Sequence, residues 1–176
     1  MDYWYILFVR TGSEEKVRQI LSHRLDSTNY QPFVPVKTAP SKSGGVVRKM
    51  LKPLYPGYIF IQSVLSPDKF CEAMFLVVYP IKDAYRVLHN GSDRLDTALR
   101  ENERLFFQRL FGKDFIIEDS IGVIKDGKTL IISGPLAGME GMIKKIDRHR
   151  REATVEISIM GEVKKVTLGL EIVEKS

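Results

Sequence analysis

The ten residues Lys52-Pro-Leu-Tyr-Pro-Gly-Tyr-Ile-Phe-Ile61 decide how the chain is read. Pro53 and Pro56 fix φ and lack an N–H, so neither suits the middle of a paired central strand. Gly57 lets the backbone turn, or pass close to another segment where a Cβ would clash. The β-formers Tyr58-Ile-Phe-Ile61 follow without a break, as in a strand covered on both sides. The stretch therefore predicts a rigid elbow leading into a strand buried on both faces. Tyr55 and Tyr58 flank the Pro56-Gly57 pair. They read either as packing residues whose hydroxyls find partners or as a rigid aromatic surface offered to another molecule.

Upstream of the elbow, Trp4 to Val9 reads as a short, well-buried strand. Thr11 or Ser13 can cap the next helix, and the spacing from Thr11 to Glu14 is that of a capping box. Val17, Ile20, Leu21 and Leu25 then recur on one helical face. Phe33-Val-Pro-Val36 is a second short strand or edge. Ser41-Lys-Ser-Gly-Gly45 marks a hairpin tip by its glycines, and Val46 to Met50 leads back to the elbow.

Downstream, Ser66-Pro67-Asp68 starts a helix with a capping serine, proline at the first helical position and an acid near the positive helix end. Phe70, Ala73, Met74 and Val77 form its buried face, and Pro80 ends it. Tyr85 to Leu88 reads as a strand. Leu95 to Phe111 reads as one long amphipathic helix carrying Leu99, Phe106 and Leu110, closed by Gly112. This order predicts an α+β domain over residues 1–112, an antiparallel sheet flanked by helices. Residues 113–127 lose periodicity and read as a linker. Five short β-rich runs follow, at Lys128–Ser133, Gly141–Ile146, Thr154–Ile159, Val163–Thr167 and Glu171–Val173. They predict a small all-β barrel over residues 128–176, in β rather than helical form.

With 176 residues, 44 % hydrophobic and 28 % charged, the composition is that of a globular protein of one or two domains. No apolar run is long enough to cross a bilayer, and Trp4–Val9 lacks the basic flank of a signal peptide. The lone Cys71 excludes an intrachain disulfide and a cysteine-based zinc site. A cytoplasmic monomer without membrane contact is expected. The three histidines, His23, His89 and His149, have no metal-ligand spacing to one another or to the cysteine, and no phosphate-binding glycine loop follows a strand. An enzyme, a metal and a cofactor are therefore not expected.

Charge carries more. The net charge of +5 tolerates a polyanionic partner. Lys144-Lys-Ile-Asp-Arg-His-Arg-Arg151 holds five basic residues and one acid around a turn. Charge runs are usually solvated turns. Three arginines and a histidine within four positions nonetheless suit phosphate and base-edge contacts. The candidate RNA-binding set is thus Lys144, Lys145, Arg148, His149, Arg150 and Arg151, extended by Lys164 and Lys165. Arg10 and Arg48-Lys49-Lys52 form a second, weaker basic cluster.

Two separate motifs also resemble one family. Trp4-Tyr5, Thr11-Gly12 with Glu14, Phe33-Val-Pro35 and Leu54-Tyr-Pro-Gly-Tyr-Ile-Phe60 are similar to the NGN domain of NusG-type transcription elongation factors. Gly134-Pro-Leu-Ala-Gly-Met-Glu-Gly141, Ile146-Asp147, Met160-Gly161 and Leu170-Glu-Ile-Val173 resemble the KOW domain, an SH3-like barrel. The resemblance implies a non-enzymatic elongation factor whose first domain sits on the β′ clamp helices of RNA polymerase. It places Trp4, Tyr55 and Tyr58 at clamp-contact positions. Arg10 falls where a specialised paralogue faces the non-template DNA strand. The chain departs from general NusG proteins at Lys144-Lys145 and Arg148–Arg151. Met160 stands where an aromatic often binds ribosomal protein S10 or Rho, which argues against those partners. The combination looks most like the LoaP branch, whose barrel binds an RNA hairpin and promotes processive antitermination. The alternative is a ribosome-associated KOW-type RNA-binding protein without polymerase contact. Nucleoid association during transcription follows from the first reading.

Overall fold

The computed structural model describes residues 2–43 and 46–175, so the Gly44-Gly45 hairpin tip lies outside the described residues. In the first half the elements are β1 (Tyr3–Val9), α1 (Glu14–Arg24), β2 (Tyr30–Phe33), β3 (Val36–Ser43), β4 (Val46–Pro53), β5 (Tyr58–Ser63), α2 (Pro67–Val78) and β6 (Ala84–Val87). Then come α3 (Glu101–Leu110), β7 (Ile116–Ile117), β8 (Ser120–Lys125), β9 (Lys128–Ser133), β10 (Ile143–Asp147), β11 (Glu152–Ile159) and β12 (Glu162–Lys175).

The chain forms two compact units. One holds residues 1–35, 55–105 and 159–162; the other holds residues 36–54, 106–158 and 163–176. The β3–β4 hairpin thus groups with the all-β part rather than with the N-terminal segment around it.

The first unit is built on a four-stranded sheet in the order β2-β5-β1-β6. β5 is flanked on both sides, with Phe60 opposite Ile6 of β1 and Phe33 of β2. Alternation sorts its side chains. Tyr5, Leu7, Val9, Ile59 and Ile61 join Val17 and Leu21 of α1 and Phe70 and Met74 of α2 in one core. Tyr5 stacks on Phe70 with centroids 3.5 Å apart, and its hydroxyl donates to the Leu65 carbonyl at 2.6 Å. Trp4, Phe33 and Phe60 meet edge-on or tilted on the opposite face.

The Pro56-Gly57 elbow is held by Glu14. This carboxylate accepts from the Gly12 N–H at 2.8 Å and from the Gly57 N–H at 2.6 Å, and the residue is only 5 % exposed. Gly57 has φ 85°, and a Cβ there would meet the Val9 carbonyl oxygen at 3.0 Å. Its own carbonyl accepts from the Val9 N–H at 2.8 Å. The reach of Glu14 back toward Gly12 echoes the expected capping box, but the Ser13 side chain at the cap position does not cap the helix.

Several expectations change. The second strand is Tyr30–Phe33, and a new strand starts at Val36, so the Phe33–Val36 run is a break; Pro35 supplies no N–H to a ladder. Residues 95–100 are not helical. Asn90 donates from one amide to the Asp96 and Ala98 carbonyls, Ala98 bridges to Tyr5, and Leu99 N–H donates to the Trp4 carbonyl. Tertiary backbone bonds therefore outcompete the helical pattern, and α3 starts only at Glu101. Its most buried aromatic is Phe107 rather than Phe106.

The second unit contains a five-stranded sheet, β10-β11-β12-β8-β9, and a three-stranded one, β4-β3-β7. The strand order gives an open sheet rather than the closed barrel expected. Residues 113–127 are not a plain linker: β8 lies inside the sheet, parallel to β12 and antiparallel to β9. Its inward positions are Ser120, Gly122 and Ile124, and small or polar buried residues hide a period of two. A Cβ at Gly122 would come within 3.1 Å of the Leu130 carbonyl oxygen, a tighter approach than an ordinary contact. The two runs read at Val163–Thr167 and Glu171–Val173 are one strand, continuing through Gly169.

Removing the Glu14 carboxylate leaves a buried Gly57 N–H without its acceptor. Glu14→Ala is expected to lower the unfolding free energy by about 1–3 kcal/mol, and Gly57→Ala by a similar about 1–3 kcal/mol through backbone strain. Urea denaturation checks both, and an unchanged midpoint in either variant would show that the elbow is not held in this way.

Candidate functional site

The basic segment forms a tight turn between β10 and β11. The Asp147 carboxylate accepts from the Arg150 N–H at 3.0 Å, and the Arg151 N–H donates to the Arg148 carbonyl at 3.3 Å. That backbone bond to Arg150, with the charge of its guanidinium, holds the Asp147 carboxyl below its usual range. Arg151 sits at φ 54°, a left-handed conformation that favours glycine or asparagine. Arg148, His149, Arg150 and Arg151 are all exposed.

The surrounding charges are more balanced than the sequence suggests. Arg151 lies 3.2 Å from Glu171, and Arg150 lies 3.9 Å from Asp147. On the sheet, Glu156 of β11 lies between Lys144 of β10, at 3.4 Å, and Lys165 of β12, at 3.8 Å. Lys144, Lys145 and Lys165 are exposed, whereas Lys164 is half-buried. The fold thus brings β10, β11 and β12 side by side and places every residue of the basic set on three adjacent strands or their turn.

The β3–β4 hairpin reaches the same unit through Asp119, which precedes β8. The Asp119 carboxylate accepts from Thr38 and Lys49. Burial opposes its charge, but the bonds from Lys49 and Thr38 prevail and hold its carboxyl below the usual range. Lys37 donates to the Thr167 carbonyl, and burial pulls its ammonium pKa down. Gly169 makes room for Asp119, because a Cβ there would overlap the carboxylate.

In the first unit the three aromatic candidates differ. Trp4 is 2 % exposed and packs on Phe33 and Phe60, and Tyr55 is buried too, its hydroxyl pKa raised by burial and then by Tyr58 and Glu103. Neither ring forms an open surface. Tyr58 is half-buried, 5.8 Å from Tyr55 and edge-on to Phe8 at 6.0 Å. Phe8 in turn lies 5.3 Å from Tyr85, which is 54 % exposed. A line of rings therefore runs from the buried Tyr55 to the surface. In the same unit, Phe75 of α2 and Tyr79, the residue that follows the helix, stack at 6.0 Å, and Tyr79 is 84 % exposed.

Phe8, Phe75, Tyr79 and Tyr85 were missed in the sequence. Phe8 looked like one more core residue, and only the even positions of β1 distinguish it from Leu7 and Val9. Phe75 and Tyr79 are i, i+4 partners outside the predicted helix face, a signal that was available. Arg10 is exposed near Asp83, 3.9 Å away, and Lys16 donates to the same carboxylate at 3.1 Å.

The profile of the family described as transcription termination factor nusG matches residues 2–105, more than half of the chain. The chain belongs to the NusG family. Its members are non-enzymatic transcription factors, and a KOW motif matches residues 130–158. The transcription termination/antitermination protein NusG of Bacillus subtilis is 24 % identical, covering 98 % of this chain and 97 % of its own. That of Staphylococcus epidermidis is 21 % identical, with 98 % and 94 % covered. A solved structure titled "Domain interaction in Thermotoga maritima NusG" aligns with a TM-score of 0.54 at 22 % identity, over 95 % of this chain and 93 % of that one. These relatives are general members of the NusG family and do not support the narrower likeness to LoaP.

Asp83 permits a test by pH. The hydrogen bond from Lys16, aided by the charges of Lys16 and Arg10, holds its carboxyl below the usual range. A depressed carboxyl stabilises the fold above its unfolded value of about 3.9 and loses that contribution as pH falls through the folded value. Wild type is expected to melt above Asp83→Asn at neutral pH, with the gap closing below about pH 4. Thermal melts across that range check it.

Proposed function

We propose that the protein is a transcription elongation and processive antitermination factor of the LoaP type. It binds RNA polymerase through the first unit and a structured RNA hairpin through the second, on the sheet that carries the KOW motif. The observation that carries the RNA reading is the Asp147–Arg151 turn. Arginine occupies a left-handed position at its end, where glycine would cost less. The exposed arginines and histidine are presented by a turn braced through Asp147. An A-form helix hides its bases in a deep, narrow groove, so a compact basic turn suits a hairpin's shape, widened groove or unpaired loop. Arg148, Arg150 and Arg151 supply two-pronged contacts, and Lys144, Lys145, Lys164 and Lys165 add general attraction.

Polymerase binding rests on the ring line of Tyr58, Phe8 and Tyr85, with the β′ clamp helices as partner. Trp4 and Tyr55 support that line from beneath, as buried rings that fix Phe33, Phe60 and Tyr58. Arg10 and Lys16 stand ready for the non-template DNA strand. The protein works as a monomer in the cytoplasm, at the nucleoid.

Two experiments test this. In fluorescence anisotropy, log affinity for a cognate hairpin is expected to fall with log salt at a slope of roughly −3, as for about four neutralised phosphates. Arg151→Gly should weaken hairpin binding while keeping or raising the melting temperature, because glycine relieves the left-handed backbone. Unchanged affinity in that variant would return the turn to a solvated loop.

The second is a polymerase pull-down. Truncating a central interface aromatic costs about 2 kcal/mol or more, so Tyr58→Ala should reduce polymerase capture severalfold and leave RNA affinity unchanged. Capture of ribosomal subunits without polymerase would instead favour a ribosomal RNA-binding role.

A further inference from the structure

The basic turn borders a cavity of about 470 Å³ within the second unit, lined by Pro40 and Lys49 of the hairpin, Asp119, Arg151, Glu152 and Glu171 among others. Its volume falls in the range of about 300–1,000 Å³ typical of small-molecule sites. We infer that this cavity is a socket for one unpaired guanine of the bound RNA, with the flanking phosphates on the exposed arginines of the turn. The inference rests on the RNA reading above and adds the identity of a base.

The argument begins with charge. A phosphate site carries an excess of cations and other hydrogen-bond donors, whereas here Lys49, Arg150 and Arg151 are matched by Asp119, Glu152 and Glu171. Such a lining suits a group that both accepts and donates hydrogen bonds. Guanine presents O6 and N7 as acceptors, the edge that an arginine fork reads. It also carries N1–H and N2–H donors on its pairing edge, free only when the base is unpaired. Arg151 and Glu171 lie side by side at 3.2 Å, a fork donor next to a carboxylate acceptor, and both side chains reach solvent. Adenine reverses this pattern on its pairing edge and lacks the N1–H.

The socket has a built floor. Asp119 is engaged by Thr38 and Lys49 and fitted against Gly169, so it fixes the hairpin wall and leaves Glu152 and Glu171 as acceptors, of which Glu171 stands beside Arg151. Pro40 gives an apolar side against which a flat ring can lie. RNA loops and bulges supply such splayed bases, and arginine planes stack on them.

The test uses the full chain and synthetic stem-loop RNAs with an all-uridine loop carrying one central guanosine, adenosine or uridine. The guanosine hairpin is expected to bind about tenfold tighter than the other two, within the range of a good two-pronged base contact. Glu171→Ala removes the acceptor that faces the guanine together with a negative charge, so it should raise or preserve affinity for the adenosine and uridine hairpins while the guanosine preference collapses toward one. Arg148→Ala, outside the cavity lining, should weaken all three hairpins alike and keep the preference. Equal binding of the three hairpins by wild type, or a preference that survives Glu171→Ala, overturns the socket and leaves RNA binding intact. Failure of every hairpin to bind would overturn the RNA reading and the socket together.

Discussion

The first unit depends on one buried carboxylate. Glu14 stands at the start of α1, where the helix dipole favours an acid, yet one of its two bonds leaves the helix for the Gly57 N–H. That bond, with the Val9–Gly57 backbone bond, fixes the angle at which the chain passes from the Pro56 elbow into β5. β5 then sets the register of β1 on one side and β2 on the other, and Tyr58 falls opposite Phe8. The aromatic line from Tyr55 to Tyr85 is a consequence of that register. A slip of one residue would turn Tyr58 and Phe8 toward the core and bring Leu7 and Ile59 out.

The second unit works by a different economy of charge. Its basic residues are not a uniform field, since Glu156, Glu171 and Asp147 lie among them and pair with named partners. What the turn gains is position: Asp147 bonds the backbone of Arg150 and so fixes where Arg148 and His149 project. Side chains held in this way lose less freedom on binding than the same residues on a mobile loop. Asp119 plays a similar part for the hairpin, joining Thr38 and Lys49 where only glycine at position 169 leaves space.

Much of this was legible in the sequence. The elbow, the β5 strand, the start of α2 at Ser66-Pro67, the all-β character of the last third and the basic turn all follow from local chemistry, because proline, glycine, capping residues and alternation act over a few positions. The NusG resemblance lay in the same local motifs. Two readings failed for one shared reason: partners distant in sequence decided the outcome. Leu95–Arg100 has a helical pattern, but Asn90, Trp4 and Tyr5 capture its backbone. Ser120–Lys125 looks like a linker until β12 and β9 pair with it from either side. The burial of Trp4 agrees with the strand pattern, and that of Tyr55 decides for the packing reading that local sequence left open.

The sequence by itself determined the chemistry available: where the backbone must bend, which runs form strands, and that five basic residues cluster around one turn. Only the tertiary structure decided which of those groups face solvent and which acids stand beside them. It put Glu171, twenty residues on from Arg151, at 3.2 Å, and set Glu156 between two lysines from different strands. The physical reason is that strand pairing is a non-local contact, selected by burial over the whole sheet. Local residue types limit which pairings can form, but the balance of packing and backbone hydrogen bonds across the unit picks the one that does.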